Sequence, residues 1–133
     1  MDPDLHAALH RNQVIDLTTT GRRTGQPRRI EIVLLHHEGT VFISGKPVTF
    51  RTRDWLRNVE AEPHVTVHLK QEVVADVPAT ARVVTDPLER RPLLEAAARV
   101  WSGGDLALMM EHSPLIVLRL DDPDGGPRAP SDA

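Results

Sequence analysis

Leu17-Thr18-Thr19-Thr20-Gly21-Arg22-Arg23-Thr24-Gly25-Gln26-Pro27-Arg28-Arg29 reads as the end of one strand, a tight loop and the start of the next strand. Residues 14–20 are rich in β-branched side chains, which favour an extended backbone. The two glycines allow the chain to turn with φ > 0 and to lie close to a ligand. The four arginines concentrate positive charge in a chain whose formal net charge is −3. Successive backbone N–H groups in such a turn can form an anion-binding concavity. A guanidinium adds a planar fork of donors that matches phosphate or carboxylate oxygens. The expected unit is strand, anion-binding loop, strand. The competing reading is a solvated basic hairpin loop that binds nothing.

Outward from this stretch the pattern stays hairpin-like. Residues 28–37 form the next expected strand, with Ile30, Ile32 and Leu34 on one face and Arg29, Glu31 and Val33 on the other. Glu38-Gly39 signals a turn, 41–44 returns as a strand, and Gly45-Lys46-Pro47 breaks it. Residues 51–61 have helical periodicity, with Trp55, Leu56 and Val59 as the apolar stripe, and Glu62-Pro63 ends the helix. Residues 64–70 alternate, Val65, Val67 and Leu69 against His64, Thr66, His68 and Lys70. Residues 73–85 make a further strand. Pro78 removes a ladder donor there and predicts an edge position or a bulge. Asp86 is the expected N-cap of a helix with Pro87 in its first turn; Leu88, Leu94, Ala98 and Trp101 are expected on one face of it. Ser102-Gly103-Gly104 stops that helix. A short helical turn at 105–111 and a last strand at 114–120 complete the order, and Asp2-Pro3-Asp4 opens a short helix at the start.

Hairpins dominate this order. It lacks the strand–helix alternation of a doubly wound parallel sheet. It fits a mainly β fold, an antiparallel barrel of about six strands with two outer helices.

The chain has 133 residues, 40% apolar and 26% charged, ordinary for one soluble domain. Residues 1–120 are expected to form that domain, and 121–133, rich in Asp, Pro and Gly, a flexible tail. Aromatics make up 3% and tyrosine is absent, so the core must be aliphatic. The chain has no cysteine, which excludes a disulfide framework, a thiolate metal site and a cysteine nucleophile. No leader-like apolar run or bilayer-length apolar stretch occurs, so a cytoplasmic protein is expected. The acidic balance argues against a nucleic-acid partner. His36 and His37 are expected at a solvated hairpin. His64 and His68 share a strand face but stand ~13 Å apart, too far to share one metal ion, and no metal is assigned.

The Thr18-to-Arg28 segment resembles the phosphate-loop signature of the deazaflavin-dependent nitroreductase family, split β-barrel proteins related to flavin-binding pyridoxamine-phosphate-oxidase-like barrels. Asp54-Trp55-Leu56-Arg57-Asn58-Val59-Glu60-Ala61-Glu62-Pro63-His64-Val65-Thr66-Val67 is similar to the family's pattern of a tryptophan-containing helix, Asn, Ala-x-Pro and a following strand. The resemblance spans roughly residues 14–120 and implies a split antiparallel barrel that uses reduced coenzyme F420 as hydride donor. It implies cofactor contacts at Arg22, Arg23, Thr24, Gly25, Gln26 and Arg28, and, from the segment Phe42-Ile43-Ser44-Gly45-Lys46, at Ser44 and Lys46. In that segment the family's lysine is displaced by one position and its second glycine is missing. Trp55-Leu56 stands where the family has Trp-Tyr, and Val100-Trp101-Ser102-Gly103-Gly104 replaces a tyrosine-rich segment. Trp55, Trp101, Ser102 and Met109 are the candidate substrate-pocket residues. The expected substrate is a small electron-poor molecule: a quinone, enone or nitro compound. FMN is the alternative cofactor, a non-catalytic anion-binding barrel is the alternative function, and a homodimer is the expected assembly.

Overall fold

The structure is a computed structural model that describes residues 2–47, 53–101 and 105–121. Six strands form a closed antiparallel barrel in the order β1-β2-β3-β6-β5-β4. They are β1 (Gln13–Thr20), β2 (Pro27–His37), β3 (Thr40–Ser44), β4 (His64–Lys70), β5 (Val74–Val83) and β6 (Leu115–Leu120). The helices are α1 (Pro3–Leu9), α2 (Asp54–Ala61), α3 (Pro87–Val100) and α4 (Leu106–His112).

Strand alternation sorts the apolar residues into two cores. Ile15, Leu17, Leu34, Ile43, Val67, Val77 and Ile116 point into the barrel. Leu35, Phe42 and Leu115 point out and are covered by Leu93, Leu94 and Ala97 of α3 and Met109 of α4. β3 therefore carries apolar side chains on both faces, Val41 and Ile43 within and Phe42 without. This is why its sequence does not alternate in polarity.

Two short helices meet β1 at opposite ends. At its start Gln13 Nε2 donates to the Ala8 carbonyl of α1, which buries Leu5 and Leu9 in the barrel core. At its far end Asn58 Nδ2 of α2 donates to Thr19 Oγ1 at 3.1 Å, and Val59 joins the same core. The β2–β3 hairpin turns on Glu38 and Gly39, with φ of 48° and 83°, the pattern of a type I′ turn.

Two expectations change. Pro78 lies neither on an edge nor in a bulge: it pairs in continuous register with Thr66 of β4. Its carbonyl accepts from Asp121 N at 2.9 Å, just past the end of β6. A residue's N–H and C=O face the same neighbour in an antiparallel ladder, so the missing donor falls where β6 runs out. Leu88 is 87% exposed; the buried face of α3 is Arg90, Leu93, Leu94, Ala96 and Ala97. The Asp86 cap does form, accepting from Leu88 N at 3.0 Å. His68 is 9% exposed, with Nε2 2.7 Å from Thr18 Oγ1 and Nδ1 2.7 Å from Asp76 Oδ1. The tail residues 122–133 lie outside the described residues.

Candidate functional site

The loop between β1 and β2 is built by its own hydrogen bonds. Gly21 N donates to Gln26 O at 2.8 Å, Gly25 N to Gly21 O at 2.8 Å, and Gln26 N to Thr24 Oγ1 at 3.1 Å. A Cβ on Gly21 would lie 3.0 Å from Thr24 Oγ1 and 3.1 Å from Gln26 O, so the loop closes this tightly only on glycine. Gly25 has φ of 72°, left-handed backbone that other residues resist. Arg22 N donates to Asn58 Oδ1 at 3.1 Å. Of the amides from Arg22 to Gln26, those of Arg23 and Thr24 have no acceptor among the described residues. The loop backbone is spent in part on its own shape, and the capacity to bind an anion lies in the Arg23 and Thr24 amides together with the arginines.

A cleft of about 590 Å³ opens between this loop, the start of β2 and the first turns of α2. Arg22, Arg23, Arg28 and Arg29 give it positive charge; Pro27, Ile30 and Trp55 give it apolar surface; Asp54 lies on its α2 side. The arginines differ in their partners. Arg22 sends Nη1 to Asn58 Oδ1 at 3.1 Å and has Nη2 3.5 Å from Asp54 Oδ1. Arg29 donates from Nε to Asp16 at 3.0 Å. Lys70 Nζ reaches the other Asp16 oxygen at 2.7 Å and Glu31 at 2.6 Å. The hydrogen bonds from Lys70 and Arg29 hold the Asp16 carboxyl below its usual range, and those carboxylates raise the Lys70 amine. Arg23 and Arg28 are exposed and have no carboxylate partner among the described residues. That donor set fits an anionic cofactor.

The other expected site residues are placed as follows. Thr24 lines the cleft; Gly25 and Gln26 shape the loop without lining it. Ser44 is buried and donates from Oγ to the Pro114 carbonyl at 2.6 Å. Lys46 is exposed outside the cleft, its carbonyl accepting from Arg53 Nη2 at 2.7 Å. Trp55 lines the cleft and packs on the barrel core. Met109 is 1% exposed, and with Trp101 it packs in the outer core, away from the cleft lining. Ser102 lies outside the described residues. Sequence reasoning missed Thr19, Asp54 and Asn58 as cleft residues. The available signal was spacing: Asn58 stands at i+4 from Asp54 and i+3 from Trp55, which brings it beside both on α2. An asparagine inside an apolar helix stripe also wants a partner.

Known folds agree with this architecture. An F420-H2-dependent reductase is 22% identical, with a TM-score of 0.62 over 80% of this chain and 93% of that one. A putative pyridoxamine 5'-phosphate oxidase from Listeria innocua is 18% identical, with a TM-score of 0.64 over 90% and 92%. A conserved hypothetical protein from Mycobacterium tuberculosis is 14% identical, with a TM-score of 0.68 over 92% and 81%. The family model for F420H(2)-dependent quinone reductase matches residues 4–119, and the chain accordingly belongs to the F420H(2)-dependent quinone reductase family, oxidoreductases that work with the reduced deazaflavin F420.

Proposed function

We propose that the cleft beside the Gly21–Gln26 loop holds the anionic part of F420 and that the protein reduces a flat, electron-poor substrate of the quinone class. One observation carries this: Arg23 and Arg28 face a cleft with no carboxylate partner among the described residues, next to apolar surface from Trp55 and Ile30 that suits a planar ring. Reduced F420 supplies the hydride when bound. The chain's own tasks are to bind, orient and exclude water, which need no protein nucleophile. Arg23 and Arg28 supply charge-assisted donors to the anion. Asp54, on the same cleft, sets a limit on how much negative charge is welcome there. Ser44 already donates its hydroxyl to Pro114, so we assign the proton that completes reduction to water. Enones and nitro compounds are the further substrates of this reading.

The test is a fluorescence titration with oxidised F420 and, separately, with FMN, followed by oxidation of reduced F420 with a panel of quinones, enones and nitroaromatics. Tight F420 binding with quinone-dependent oxidation is expected. Binding of FMN alone would favour the flavin alternative. F420 binding without turnover on any acceptor would leave a carrier rather than an enzyme.

A further inference from the structure

We propose that Asn58 is a positioning residue that sets Arg22 and the loop in binding-ready geometry before any anion arrives. This rests on the functional reading above and extends it to a buried residue of α2 at the edge of the cleft.

Asn58 is 4% exposed, in the second turn of α2. Its Oδ1 has two lone pairs, and both are filled by one residue: Arg22 N and Arg22 Nη1, each at 3.1 Å. Its Nδ2 donates to Thr19 Oγ1 at 3.1 Å, and Thr19 is 2% exposed near the end of β1. One buried amide thus ties the helix, the strand end, the loop backbone and a guanidinium together. Asp54, one helical turn earlier, faces Nη2 of the same guanidinium at 3.5 Å. Arg22 is therefore held along one edge while its charge still faces the cleft.

The choice of amide matters. An asparagine oxygen orients the guanidinium without adding a second carboxylate to Asp54, which already lies 3.5 Å from Nη2. An arginine free in solvent loses rotamer freedom when it grips an anion. Fixing that side chain in advance is worth roughly two- to tenfold in affinity.

The experiment compares wild type, Asn58→Ala, Arg22→Ala and the double variant, all well below their unfolding temperatures. The readouts are amide hydrogen exchange and titrations with inorganic pyrophosphate and oxidised F420. Asn58→Ala should speed exchange at the Arg22 amide by at least about tenfold, since its acceptor is gone, while Val67 and Ile116 in the barrel keep wild-type protection. Its pyrophosphate Kd should rise roughly two- to tenfold. In the Arg22→Ala background the same change should alter Kd by less than about twofold, because coupled residues are not additive. A merely structural asparagine predicts equal fold-changes in both backgrounds, and that result, or unchanged Arg22 exchange, overturns the proposal. Should Asn58→Ala fail to fold, Asn58→Asp takes its place. It keeps the acceptor, so Arg22 stays protected, yet pyrophosphate affinity should fall because a second carboxylate then faces Arg22; unchanged affinity overturns the proposal. If wild type binds pyrophosphate with this coupling but not F420, the role of Asn58 stands and the deazaflavin reading falls. If F420 binds wild type and Asn58→Ala equally, the deazaflavin reading stands and the role of Asn58 falls.

Discussion

The guanidinium of Arg90 donates to the carbonyl of Ser113 at 2.8 Å and so fastens α3 to the segment that follows α4. The same group reaches Val84 O at 2.8 Å and Met109 O at 3.2 Å. Arg90 is 9% exposed, and burial pushes its guanidinium below the ordinary arginine value, though arginine stays protonated in proteins. Two of these acceptors, Val84 O and Ser113 O, have no other donor among the described residues, whereas Met109 O also accepts from Ser113 N at 3.0 Å. Leaving a buried acceptor unpaired costs ~1–3 kcal/mol. Arg90→Ala should therefore destabilise the fold by about 3 kcal/mol or more, a drop in Tm on the order of 10 °C. Calorimetry of the variant checks this. F420 affinity of the folded fraction should stay at the wild-type value, because Arg90 does not line the cleft.

Acidification should loosen the α1 end of the barrel. The rings of His6 and His10 stack with centroids 4.2 Å apart, and His10 meets His36 edge-on at 5.4 Å. Gly39 N donates to His36 Nε2 at 3.2 Å, a bond that an imidazolium cannot accept. Burial, then the neighbouring His10 and His37, lower the pKa of His36. A histidine depressed in the fold binds fewer protons there than in the unfolded chain. Its stabilising contribution is complete above the unfolded value of about 6.5 and is lost as pH falls through the lower folded value. The urea midpoint should fall between about pH 7 and 5, and His36→Gln should flatten that slope. The depressed carboxyls of Asp16, Glu62 and Glu89 lose their contributions only in the more acidic range below about pH 4, so the two effects separate along the pH axis. An identical slope in the variant between pH 7 and 5 would remove His36 from the account.

Glu38 carries avoidable strain. It is the only non-glycine residue with positive φ among the described residues, at 48°, and its side chain is largely exposed. The first central position of a type I′ turn favours Asn or Gly. Its one ionic contact is with His37 at 3.6 Å, and exposed pairs of this kind contribute little. Glu38→Asn should stabilise the protein by about 0.5–1 kcal/mol, seen as a higher urea midpoint at unchanged m-value. A lower midpoint would mean that the His37 contact outweighs the backbone relief.

Much of the barrel was legible in the chain because hairpins leave local marks: β-branched runs, Glu38-Gly39, and Asp86-Pro87 at a helix start. The errors arose where a distant partner decides the outcome. Leu88 stands six residues before Leu94, about 120° away round the helix, and the buried face includes Arg90 instead. No local pattern shows that the carbonyls of Val84 and Ser113 need its donors. Pro78 looked like an edge residue because nothing local reveals that β6 stops opposite it. In the site, the basic loop was visible as composition. Asn58 was visible only as a motif position, since its role lies in meeting Arg22, thirty-six positions away. Ser44 matched a short motif, but the approach of Pro114 engages its hydroxyl.

Loss of Arg23 or Arg28 should weaken F420 binding more than it weakens the fold. Both side chains are exposed, lie on the cleft and have no carboxylate partner among the described residues, so their removal leaves no buried group unpaired. Stability should stay within about 0.5 kcal/mol of wild type. Each charge-assisted contact to an anion is worth ~1.5–3 kcal/mol, roughly ten- to a hundredfold in Kd. Arg29→Ala supplies the control on the same cleft: its guanidinium is engaged by Asp16, so it should change F420 affinity less than either partnerless arginine. The salt dependence adds a second readout, because contacts between exposed charges are screened as ionic strength rises. Wild-type affinity should fall with added salt, and Arg23→Ala and Arg28→Ala should each flatten that fall. Titration of the three variants at two ionic strengths checks both statements. Equal Kd values for wild type, Arg23→Ala and Arg28→Ala at low salt would show the basic loop to be a solvated turn, and would move the cofactor away from this cleft.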